Sequence, residues 1–218
     1  MKKLTTLLII AGISLLSFQV NAQGMGIKAG LTMATMEYEN DQATYSDTYK
    51  MTPGFHVGLT YEVPLIGILS FEPGLIFTTK GAKYEDTLLG IDFDAVYTLY
   101  YIDIPLYVKA AVSAGDNLKL YAAAGPYVGL GISGVVKTTT EVLGIVNTEE
   151  DDIEWGNDEA EDDLKNVDMG LTFGAGLEIS SLLLGVSYDL GMANISSYQD
   201  FGTTRKNNVL KLSIGYKF

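Results

Sequence analysis

Val209–Phe218 reads VLKLSIGYKF. Leu210, Leu212, Ile214, Tyr216 and Phe218 are apolar, while Lys211, Ser213, Gly215 and Lys217 between them are polar or small. A period of two is the mark of a strand with two unlike faces. A run of this length, tilted by about 45°, is what a strand needs to cross the hydrocarbon core of a bilayer. In a water-soluble sheet the same apolar face would cover a core, so a single such strand fits either setting. Recurrence of the pattern decides between them.

Working back from the end of the chain, the same alternation returns over residues 182–192, 168–179, 119–132, 100–109, 69–78, 54–63 and 25–33. Eight strands in all predict an eight-stranded antiparallel up-and-down transmembrane β-barrel, with both chain termini at one end. The connections alternate as that plan requires. Short ones lie at 64–67, 112–117 and 180–181, and long ones at 37–51, 81–96, 135–166 and 194–206. Pro73, Pro105 and Pro126 fall inside strands that have no free edge, and each predicts a bulge.

Charge sorts in the same way. Lys28, Glu62, Glu72, Asp103, Lys109, Lys119, Asp168, Glu178, Asp189, Lys211 and Lys217 all lie opposite the apolar face of their strands. A Lys or Arg facing lipid at the midplane costs about 2–4 kcal/mol, so the charged face is the lumen. An eight-stranded barrel is only wide enough for its own side chains or one small ligand. Mixed signs, with Tyr107, Tyr121 and Tyr127 as filler, therefore predict a plug of ion pairs. The competing expectation is a narrow pore through a charged, glycine-rich lumen.

The start of the chain supplies the export route. Met1, Lys2 and Lys3 precede an apolar stretch from Leu4 to Phe18 and then Val20-Asn21-Ala22, which reads as a secretory signal peptide cleaved after Ala22. The mature barrel domain is then 23–218, in the outer membrane of a diderm bacterium with both termini periplasmic. The chain has no cysteine, which excludes thiol catalysis and leaves stability to sheet closure and packing. Loss of Lys2 and Lys3 takes the formal charge from −13 to −15, of which the four long loops carry −14. So acidic a chain is a poor match for nucleic acid.

The blocks GIKAGLTMATM from Gly26, PGFHVGL from Pro53, FEPGLIFTTKGAKY from Phe71, YIDIPLYVK from Tyr101, AAGPYVG from Ala123 and KLSIGYKF from Lys211 resemble the PorT-like outer-membrane β-barrel domain family, abundant in Bacteroidetes. The resemblance spans nearly the whole mature chain apart from the loops. It implies the barrel fold and carries no catalytic motif; one named member acts in the secretion of other proteins.

Three stretches are candidates for function. His56, the only histidine, sits on the lumen face, where it is either a polar lumen residue or the base of a lipid-modifying enzyme. In the third long loop, the dense acids suit a hard cation such as Ca²⁺, with Asp151, Asp152, Glu154 and Asp158 as ligands. Their spacing is not that of an EF-hand, and the alternative is a solvated loop whose charge resists self-association. Trp155 among these acids is either an anchor for an extracellular protein or ligand, or a residue tucked onto the barrel rim. At the end of the chain, Tyr216 and Phe218 belong to the aromatic girdle facing membrane lipid, and look like the signal read by the barrel-assembly machinery. The reading favoured is a non-enzymatic, cofactor-free barrel with a structural or surface-binding role through its acidic outer loops.

Overall fold

The computed structural model describes residues 24–39, 49–88, 91–142, 145–156, 158, 161–198 and 202–218. The expected signal peptide, 1–22, lies outside them. In chain order the strands are β1 (Met25–Glu39), β2 (Tyr49–Lys50), β3 (Thr52–Tyr61), β4 (Val63–Ile66), β5 (Leu69–Leu88), β6 (Ile91–Ser113), β7 (Leu118–Val142), β8 (Ile145–Asp152), β9 (Val167–Ile179), β10 (Leu182–Gly191) and β11 (Thr204–Lys217). Eight of them close a ring in the order β1-β3-β5-β6-β7-β9-β10-β11, every pair antiparallel, with β1 bonded to both β3 and β11. Val209–Lys217 thus lies in the strand that shuts the barrel. Phe218 N–H donates to Met25 O at 2.9 Å and ties the two ends of the ring together.

Burial is inverted relative to a soluble protein. Leu31, Phe55, Leu75, Val128, Phe173 and Leu212 are 45–63% exposed, whereas Thr32, Lys80, Asp103, Lys109, Asp168, Asp189 and Lys211 are at most 4% exposed. Alternate side chains of one strand account for both sets, since successive residues point to opposite faces. The apolar exterior belongs against hydrocarbon, because that surface in water would forfeit about 25 cal/mol per Å².

Three strands run far beyond the predicted lengths. β5, β6 and β7 have 20, 23 and 25 residues. At about 3.3 Å per residue β7 is roughly 80 Å long, against an apolar band about 25 Å tall. The β5–β6 hairpin stays paired to Leu88↔Ile91. The β6–β7 ladder continues to Ile91↔Val142, and β8 adds a further strand through Val142↔Ile145. Much of what reads as the second and third long loops is therefore a sheet extending the barrel wall.

The prolines correct another expectation. Register is the same on both sides of Pro73, Pro105 and Pro126, so none of them makes a bulge. The missing donors are absorbed as short lapses in the ladder, opposite Gly74–Leu75 and again opposite Gly125–Pro126. The shifts lie between Pro64 and Ile66, next to a turn, and between Tyr100 and Tyr101, where barrel becomes extension.

Candidate functional site

The lumen holds two tiers of ion pairs. Towards the end where the chain termini meet, Lys109 pairs with Glu62 at 2.9 Å, with Glu72 at 3.5 Å and with Glu178. Lys28 pairs with Glu72, and Lys217 bridges Glu62 at 2.8 Å and Glu178 at 3.7 Å. Three lysines meet three glutamates, and the Lys109 ammonium also lies 4.6 Å from the centre of the Tyr121 ring. Lys119, read as part of this network, is instead exposed. It sits one residue into β7 beside the short turn, at a rim pocket with Asp116, Asn117 and Glu178, where its ammonium reaches water.

The second tier lies nearer the long-loop end. Lys80 is wholly buried, 2.9 Å from both Asp103 and Asp168 and 4.5 Å from the ring centres of Tyr101 and Tyr127. Asn207 donates to Asp168 at 3.1 Å. Lys211 joins Asp189 at 2.6 Å and Asp103 at 3.5 Å, and Thr172 donates to Asp189 at 2.7 Å. Sequence reasoning missed Lys80, although it continues the lumen face 72, 74, 76, 78 by one further step of two; ending the strand at Thr78 hid it.

Between the tiers, His56 Nε2 lies 3.0 Å from Ser213 Oγ, and Nδ1 has no hydrogen-bond partner among the described residues. The pairing depends on a gap. His56 and Ser213 both lie opposite Gly30, one on β3 and the other on β11. A Cβ at Gly30 would come within 2.8 Å of the imidazole, so glycine lets the ring reach across β1. The cavity beside the pair is about 50 Å³ and is also lined by Lys28, Tyr107, Ser187 and Lys211. It is a space for one or two waters. Among the described residues no carboxylate accepts from Nδ1.

The second tier is roofed. Ile153, Trp155 and Leu164, in the third long loop, and Ile195, in the fourth, turn inward over the barrel. Ile153, Leu164 and Ile195 are buried in one cluster with Met36, Ala82, Leu99 and Tyr101. The Trp155 ring meets Tyr101 edge-on, centroids 5.5 Å apart at 87°. Gly131 makes room for it, because any Cβ there would run into the indole. Main-chain bonds fix the roof to the wall: Ile153 N–H to Gly134 O at 2.8 Å, Gly131 N–H to Asn166 O at 2.7 Å, and Lys165 N–H to Ile195 O at 2.8 Å. Trp155 is thus a rim residue in this structure, not an exposed anchor.

The acids expected to bind Ca²⁺, Asp151, Asp152, Glu154 and Asp158, lie in and beside the same segment. Among the described residues no three potential ligands converge on a point. Asp151 and Asp152 are consecutive in β8 and point to opposite faces, while neighbouring carboxylates bind the backbone. Asp163 accepts from Glu154 N–H at 2.9 Å and Asp162 from Asp158 N–H at 2.7 Å. Elsewhere on the extension, beside β2, Glu85 accepts from Lys50 and Lys83, which hold its carboxyl below the usual range, Lys50 acting most strongly.

Residues 19–197 match the family model of the outer membrane protein beta-barrel domain. The chain belongs to that family. This family member is an outer-membrane protein. No curated protein matches it. Among solved structures it is similar to OprG from Pseudomonas aeruginosa, at 16% identity over 89% of this chain and 96% of that one, TM-score 0.45. It is also similar to Ail, the attachment invasion locus protein of Yersinia pestis, at 18% identity over 90% and 99%, TM-score 0.35. A third is Neisserial surface protein A, at 14% over 89% and 97%, TM-score 0.40. The closed ring of strand pairs carries the fold by itself.

Proposed function

We propose that this family member is a sealed, non-enzymatic anchor that holds an acidic β-sheet outside the cell for binding, and that it conducts nothing. The observation that carries this reading is the filled cross-section. Lys80, Lys109 and Lys211, each at most 4% exposed, span the lumen between carboxylates beneath an apolar roof. Removing water from both tiers while pairing every buried ammonium is costly to undo, which suits a plug more than a passage. A lipid-modifying role for His56 lacks a route: its cavity of about 50 Å³ cannot take an acyl chain. The termini are then periplasmic and the long strands extracellular, with the signal peptide removed in export and Tyr216 and Phe218 presented to the assembly machinery. Within the wider family we assign the chain to the PorT-like kind, on the sequence blocks quoted above.

Deleting residues 137–150 tests the surface reading. The shortened chain is expected to insert and fold but to lose cell-surface binding. Full retention of binding would refute the assignment of function to the extension.

A further inference from the structure

A strand paired on one side only leaves the N–H and C=O groups of its other side open, ready to template another strand. β8 pairs with β7 from Val142↔Ile145 to Val135↔Asp152, and among the described residues nothing pairs with its far edge. All eight of its residues are exposed. Proteins usually blunt such an edge with charged side chains, proline or a bulge; β8 has no proline, lysine or bulge, and its charges are all of one sign, which repels an acidic strand and admits a cationic one. Its sequence, IVNTEEDD, instead divides into an apolar half and an acidic half. Ile145 and Val146 are 75% and 58% exposed. Glu149, Glu150, Asp151 and Asp152 alternate between the two faces, and Lys137, opposite Glu150, is the one cation in the β7 segment they pair with.

We infer that β8 is a docking edge for an extended cationic segment of another protein, which joins the sheet as an added strand. The open edge defines the site, and the acids select its occupant. A second copy of this chain is a poor occupant: standing the same way up in the same membrane it would offer its β8 in the parallel sense, which sets four carboxylates of one copy beside four of the other. A segment with Lys or Arg along one half and β-branched residues along the other neutralises the acids on both faces and meets Ile145 and Val146. Main-chain bonds supply affinity in this mode, and the alternate side chains supply specificity. The inference rests on the surface-binding reading and names its site and partner.

The test uses the folded chain in phosphatidylcholine vesicles and a fluorescent peptide of the same length as β8, with four lysines in the half that meets the acids and valines in the other half. A second peptide carries N-methyl groups on the amides of its pairing edge. Binding of the first is expected to exceed that of the second by about tenfold or more, because several main-chain bonds are lost at about 1 kcal/mol each. The double variant Glu149→Lys, Asp151→Lys is expected to lose binding. Amide exchange should slow within 145–152 on addition of the first peptide. Equal binding of both peptides, or protection elsewhere, overturns strand addition while leaving the acidic surface as the binding region. No binding of either peptide overturns the choice of a cationic partner. Undiminished binding to the chain lacking 137–150 overturns the surface reading itself.

Discussion

Lys80 shows what a single side chain does in this lumen. Its ammonium touches Asp103 and Asp168 at 2.9 Å and lies over two tyrosine rings. Lys80→Met keeps the volume but leaves Asp168 without its lysine and Asp103 dependent on Lys211 alone. Removing one partner of a buried pair costs about 3–5 kcal/mol. That loss is expected in denaturant unfolding followed by the single tryptophan, Trp155. A variant as stable as the parent would mean that the tier is solvated and only loosely coupled. Alternation alone marks most of the lumen charges, because facing lipid is prohibitive for them. The partnerships are a different matter. His56 and Ser213 lie 157 positions apart, and their contact needs both strand registers and the gap at Gly30. Lys119 fails for the opposite reason: its parity is that of the lumen, but its place at the rim lets it reach water.

At the scale of elements, the roof and the extension obey different rules from the barrel wall. The alternation that marks a lipid-facing strand fades once both faces meet water, so VVKTTTEV and IVNTEEDD read as loop although their β-branched residues favour strand. The inward fold of Ile153 and Trp155 depends on a pocket that only the assembled rim supplies. Gly131→Leu is expected to expel the indole, raising Trp155 exposure to an aqueous quencher and speeding amide exchange at Ile153 and Lys165, while β9–β11 stay protected. Unchanged quenching would show that the roof does not rest on this contact. The β2–β5 contact carries a pH dependence. Glu85 is held below the ordinary carboxylate range by hydrogen bonds from Lys50 and then Lys83. A carboxyl lowered by folding stabilises the fold above its unfolded value, and that contribution fades as pH falls through its folded value. Cross-strand signals between Tyr49 and Tyr84, measured by NMR in micelles, are expected to persist at neutral pH and weaken below the usual carboxylate range. Signals that weaken only on the alkaline side would point to Lys83 instead.

Over the whole molecule, charge is segregated by setting. Fixed, paired charges fill the lumen, apolar side chains clothe the wall, and the acidic surplus lies on the extension and loops. A charged, glycine-lined interior is compatible with a channel in sequence. Occlusion depends on how far Lys80, Lys109 and Lys211 reach across the ring and on a roof drawn from two separate loops. The most direct measurement is the conductance of the folded mature chain in a planar bilayer, alongside a chain with Lys80, Lys109 and Lys211 replaced by alanine and residues 153–164 replaced by a short glycine-serine linker. The sealed barrel predicts a silent parent and discrete openings in the variant, provided both are folded by circular dichroism. Steady openings in the parent, at physiological salt and without applied denaturant, would contradict it and make the paired charges the lining of a pore.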